Sequence, residues 1–235
     1  MVKCLVFSII AGIFGTGLGG IVAIFTKKRS SIYPRALFFS GGFMLAMVSF
    51  ELLPQAFEYG DVKTVFIGYV LGLIMIIVGN LIFEHTSKSL SANYKKAFLI
   101  MIAIALHNFP EGLAIGGGEI GGFGVSIMLL MLIHNIPEGL TVALPLIKNN
   151  SSNLKAVALS ALSGVPTVLG AAIGYSYSLH SQVFISLSLS IAAGCMTYVT
   201  FSEILPDAFE NTRDKATYTF PLIGFSLGLL FCKVV

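Results

Sequence analysis

Two ten-residue stretches hold the side chains best suited to chemistry, LHNFPEGLAI at 106–115 and IHNIPEGLTV at 133–142. In each, His and Glu stand four apart, His107 with Glu111 and His134 with Glu138. On a helix that spacing puts them about 40° apart on one face, one turn above the other. Asn108 and Asn135 add amide oxygens one step around. Pro110 removes the helical bond to the Leu106 carbonyl and Pro137 the bond to that of Ile133, which would free further oxygens, while Gly112 and Gly139 let a neighbouring helix come close. Imidazole, carboxylate and amide oxygen without thiolate suit Zn2+, Fe2+, Mn2+ or Co2+ better than Cu+. The pattern is expected to hold a divalent transition-metal ion.

The elements that must position these groups are membrane helices. Of 235 residues, 56% are hydrophobic and 11% charged, with a mean hydropathy of +0.91, outside the range of a water-soluble domain. Cutting at charged and Pro/Gly/Asn-rich punctuation leaves eight apolar segments near 4–26, 36–58, 64–83, 97–118, 122–147, 156–179, 183–209 and 217–232. A spanning helix needs about 20 apolar residues, so the whole chain, 1–235, reads as a single polytopic membrane domain. Barrel strands would alternate polar and apolar; these runs do not. The stretch from Cys4 to Phe25 is too long for the apolar core of a signal peptide and is read as the first span. At this depth in a span an ionised side chain costs about 2.5–3.5 kcal/mol on the mildest scale, so His107 and His134 are not there for stability.

Positive charges in short loops stay on the cytoplasmic side. Lys27, Lys28, Arg29, Arg35, Lys88, Lys95, Lys96, Lys148, Lys155, Arg213 and Lys215 fall on one side of an eight-span arrangement, and Lys3, Lys63 and Lys233 on the other. Eleven against three puts both termini outside. A net charge of +3 from 14 scattered Lys and Arg gives no basic stripe for nucleic acid. Cys4, Cys195 and Cys232 stand singly, with no C-x-x-C pair, so neither disulfides nor a thiolate cage is indicated.

The chain repeats itself. GFMLAMVSFELLPQAFE at 42–58 and GCMTYVTFSEILPDAFE at 194–210 are identical at 8 of 17 positions with a constant offset of 152. This pair lies on spans two and seven, and the HNxPEG pair on spans four and five, so an odd number of crossings separates each and both repeats are inverted. Inverted repeats meeting at the bilayer middle are the architecture of secondary transporters. A dication would offset the carboxylates Glu51, Glu111, Glu138 and Glu203 within spans. The orientation then suggests a route from Glu58 through Glu51 to the central group, and on through Glu203 to Asp207 or Glu210.

At these residues the sequence resembles the ZIP (zinc- and iron-regulated-transporter-like) family, most closely its short bacterial ZupT-type branch. The resemblance spans nearly the whole chain. It implies eight transmembrane helices in a 3+2+3 arrangement, spans 1–3 inverted against 6–8 and span 4 against 5. It also implies a binuclear site: one metal held by His107, Glu111 and Glu138, a second by Asn108 and Asn135, with Glu111 and Glu138 bridging. Met44 matches the family's thioether position, with simple packing as the alternative. In SGVPTVLGA at 163–171, Thr167 stands where the family usually has glutamate; the second metal would then be weakly held, a modulator or absent. The loop at 84–96 offers only Glu84 and His85 in place of the histidine-rich sensor loops of some members.

The function expected is uptake of zinc, or of iron, manganese, cobalt or cadmium, into the cytoplasm by a multi-pass protein of the inner or plasma membrane. The metal is substrate, with no prosthetic group; the other partner is lipid, and the oligomeric state, a homodimer included, stays open. An intramembrane metalloprotease would need H-E-x-x-H, but Asn108 and Asn135 occupy the base position. A transporter of anionic or organic solutes would want cations in its span centres, and there are none. GTGLGG at 15–20 satisfies a dinucleotide fingerprint but lies within a span, where Gly15 and Gly19 make a helix-packing pair.

Overall fold

The computed structural model of the protein describes residues 1–26, 31–86, 92–148 and 150–234. Lys27, Lys28, Arg29 and Lys88, four of the charges that set the expected orientation, lie outside the described residues. So does part of the 84–96 loop. Among the described residues all regular structure is helical. Seven helices are long and apolar enough to cross a membrane: α1 (Val2–Thr26), α2 (Ile32–Tyr59), α3 (which runs over Val62–Thr86), α5 (over Gly124–Lys148), α6 (Asn153–Ser178), α7 (Gln182–Glu210) and α8 (Lys215–Val234). An eighth long helix, α4, runs over Ala92–Gly121. Asp61 starts α3, its carboxylate accepting from the Thr64 N–H at 2.9 Å and its hydroxyl at 2.6 Å, the bonding of an N-cap. Those two bonds hold its pKa below the usual carboxylate value. Gly122, at φ +91°, makes the sharp turn between α4 and α5, a backbone shape open to glycine.

Packing is paired. α4 lies along α6 and α5 along α1; α2 lies along α8 and α7 along α3; α4 also meets α5 and α7. The glycines that allow these approaches come in repeat-related sets. A Cβ on Gly112 would fall 2.1 Å from the Thr167 carbonyl oxygen and one on Gly139 1.9 Å from that of Thr16. Gly19 meets Ile136, Gly139 and Leu140, and Gly170 meets Phe109, Gly112 and Leu113. On the other side, Gly42 faces the Pro221 carbonyl and Gly194 that of Tyr69, while Gly224 faces Phe39 and Gly72 faces Ile191. Gly12 and Gly164 touch each other where α1 crosses α6.

The helices differ from expectation in where they deform. α4 and α5 continue through Pro110 and Pro137, so the HNxPEG segments are not broken helices. The irregular turns lie elsewhere. α1 widens into a π turn at Ile9–Phe14, α2 at Val48–Leu52 and α7 at Thr200–Ile204, and α6 bends at Gly164. In α2 and α7 the cause is visible. Pro54 and Pro206 cannot donate to Phe50 and Ser202, four residues back, and the preceding turn opens to a wider one. In α1 the reason is register. Gly12 pairs with Gly164, an offset of 152, but Thr16 and Gly19 correspond to Thr167 and Gly170, an offset of 151; the π turn takes up the extra residue.

Candidate metal centre

α4 and α5 run antiparallel and bring their polar faces together in the interior. His107, Asn108, Glu111, His134, Asn135 and Glu138 are each 0% exposed. The closest pairs cross between helices, and the one pair at the four-residue spacing within a helix is longer. His107 Nε2 lies 3.2 Å from Glu138 Oε2, and His134 Nε2 lies 3.1 Å from Glu111 Oε1 and 3.9 Å from Glu138 Oε1. One ligand atom each from His107, Glu111 and Glu138 falls within 4.8 Å of the others. Ligands on one tetrahedral zinc at about 2.0–2.1 Å stand about 3.3 Å apart, so these donors are near enough to converge on one ion through small side-chain movements.

Apart from the close approaches of the two imidazoles to the two carboxylates, the polar atoms of this group are short of partners. Among the described residues, eleven buried side-chain polar atoms have no hydrogen bond. Seven belong to this group: both ring nitrogens of His107, both oxygens of Glu138, Glu111 Oε2, and the amide oxygens of Asn108 and Asn135. Such a concentration of unpaired atoms is unusual in a settled polar core, where buried groups are paired. His134 is held at both ring nitrogens: Nδ1 donates to the Leu130 carbonyl at 3.1 Å, and Nε2 lies 3.1 Å from Glu111 Oε1. Two buried carboxylates need a positive charge to offset their desolvation.

Each asparagine is oriented from a neighbouring helix. Asn108 Nδ2 donates to the Ser163 carbonyl at 2.8 Å and Asn135 Nδ2 to that of Ala11 at 2.9 Å, both at the irregular turns of α6 and α1. Spending the amide nitrogen there leaves the amide oxygens free for a cation. Thr167 is fully buried with an unpartnered hydroxyl.

The other residues singled out in the sequence come from the helices around α4 and α5. Met44 is fully buried and its sulfur accepts from the Thr200 hydroxyl at 3.8 Å. Glu51 and Glu203 sit in the two π turns. Glu51 is 6% exposed. Glu203 Oε1 accepts from Asn80 Nδ2 at 3.0 Å. Glu58 and Glu210 are exposed, and Asp207 accepts from the Tyr33 hydroxyl. Sequence reasoning missed the π turns and Asn80; the signals were a proline three residues after each glutamate and a lone amide in the third apolar run.

A many-helix membrane protein with a dry, antiparallel cluster of imidazole, carboxylate and amide oxygen is the class that these observations define. The ZIP zinc transporter family model matches residues 84–232. The chain is 35% identical to the zinc transporter ZupT of Chlorobium chlorochromatii, covering 83% of this chain and 84% of that one. It is 32% identical to the ZupT of Streptococcus mutans, covering 97% and 94%. The corresponding protein of Corynebacterium glutamicum is 33% identical over 84% and 86%. The chain belongs to the ZIP family, a family of integral membrane transporters and not of enzymes, and the protease reading is set aside.

Proposed function

We propose that this protein carries divalent transition-metal ions, zinc foremost, into the cytoplasm through the His107/Glu111/Glu138 group. The observation that carries the reading is the convergence of three buried donors, with unpartnered lone pairs, from two antiparallel helices. His134 assists through Glu111, which it holds at 3.1 Å. Asn108 and Asn135 supply neutral oxygens to the ion or to a second one. Met44 lines the approach from α2. Glu51 and Glu203 act as stations on either side of the centre, which their repeat-related places in α2 and α7 support. The relatives named as zinc transporters support the cargo.

The architecture that goes with this function is a 3+2+3 inverted repeat of eight spans in one domain, with both termini outside, in the inner or plasma membrane. The repeat-related glycine contacts and the matched packing of α4 on α6 and α5 on α1 support it. Conduction needs a site strong enough to strip water and weak enough to release, and mixed charged and neutral donors meet both demands.

Zinc uptake into proteoliposomes tests the reading. His107→Ala and Glu111→Ala are each expected to abolish uptake while the purified protein still elutes as a folded, monodisperse species. Wild-type uptake in either folded variant would overturn the central site.

A further inference from the structure

The inverted repeat gives Glu51 and Glu203 equivalent places but different company. Glu203 faces Asn80 of α3. Adding the repeat offset to Asn80 gives Cys232 of α8, and the contacts between the two helix pairs obey that offset: Gly194 with Tyr69 and Gly72 with Ile191 on one side, Gly42 with Pro221 and Gly224 with Phe39 on the other. Gly228, one turn before Cys232, rests against Ala46 and Phe43, about one turn before the π turn. Cys232 therefore stands opposite the turn that holds Glu51. Glu51 is more than nine-tenths buried and makes no hydrogen bond or ion pair among the described residues, the strongest charge acting on it being the Lys233 ammonium beside Cys232. Its twin Glu203 is satisfied by an amide. A buried carboxylate without a partner is costly, and a thiol beside it offers a soft donor.

We propose that Glu51 and Cys232 form a separate binding station for thiophilic divalent cations such as Zn2+ and Cd2+, on the flank of the transport route opposite Asn80 and Glu203. It rests on the reading of the chain as a metal carrier but is distinct from the His107/Glu111/Glu138 group. Carboxylate with thiolate favours Zn2+ and Cd2+ over Mn2+ and Mg2+. Coordination through sulfur releases one proton per ion bound. Cys4 and Cys195 are fully buried elsewhere. Their thiols lie 3.5 Å from the Ala171 carbonyl and 3.2 Å from the Gly72 carbonyl, so the new station is specific to Cys232.

Titration of the purified full-length protein with Cd2+, read by the ultraviolet cadmium–thiolate charge-transfer band, tests this. The band is expected in the wild type and in His107→Ala. Its affinity should fall at least about tenfold in Glu51→Gln, and the band should vanish in Cys232→Ser. Mn2+ in excess should not displace the cadmium. A second readout is uptake, where Cys232→Ser should lower the ratio of Cd2+ to Mn2+ transported. Absence of the band, its survival in Cys232→Ser or an unchanged affinity in Glu51→Gln overturns the station. Zinc uptake surviving in His107→Ala would instead overturn the central reading, so the two failures are separable.

Discussion

Thr167 is the residue at which this chain departs from the ligand set implied by its family. Its hydroxyl is buried and unpartnered, whereas the repeat-related Thr16 donates to the Gly12 carbonyl at 2.9 Å. Near Thr167 the free amide oxygens of Asn108 and Asn135 are neutral, so a second cation would find dipoles but no charge of its own. Thr167→Glu is therefore expected to tighten metal retention about tenfold, an effect of the size that outer ligands exert, and to slow release. Calorimetric titration with zinc checks this; identical stoichiometry and affinity before and after would count against it. At this scale the site was legible, because His, Glu and Asn are expensive inside apolar runs and declare themselves. What the sequence left open was the pairing. The four-residue spacing suggested His107 with Glu111, but the rotation of the two helices about their axes decides, and it puts His107 against Glu138 and His134 against Glu111.

The helices carry their own information in glycine. Gly112 and Gly139 let α6 and α1 approach the functional helices to backbone contact, with carbonyl oxygens 2.1 and 1.9 Å from where a Cβ would lie. Gly112→Val and Gly139→Val should each force the helices apart and destabilise the protein by about 1–3 kcal/mol, the usual penalty for overpacking. Both should also lose the asparagine bonds to Ser163 and Ala11. Thermal unfolding in detergent tests this, and wild-type melting in both variants would show that the packing is slack. The HNxPEG prolines each remove one helical bond, yet the helices run on through them. The π turns at Glu51 and Glu203 were not read at all, since nothing in an apolar run announces a bond to the fifth residue; only the prolines at 54 and 206 hinted at it.

Across the whole molecule the sequence showed the number of long apolar segments and the repeats. It could not show which helices touch. That follows from residues far apart in the chain, such as Gly12 against Gly164 and Gly42 against Pro221. Those contacts recur at matching positions in the two halves, as the proposed inverted repeat requires. In the proposed eight-span arrangement both termini lie on one side, and the charge distribution of the sequence argues for the outside. Tags placed before Val2 and after Val234 should both be open to a membrane-impermeant protease in intact cells; protection of either one would break the eight-span topology.

The central claim is that one ion sits between α4 and α5 on donors from both. Anomalous difference density at the zinc edge, from crystals of the zinc-loaded protein, tests it most directly. The account predicts a peak about 2.0–2.1 Å from His107 Nε2 and from carboxylate oxygens of Glu111 and Glu138. A strong peak elsewhere, with those side chains bare, would contradict it.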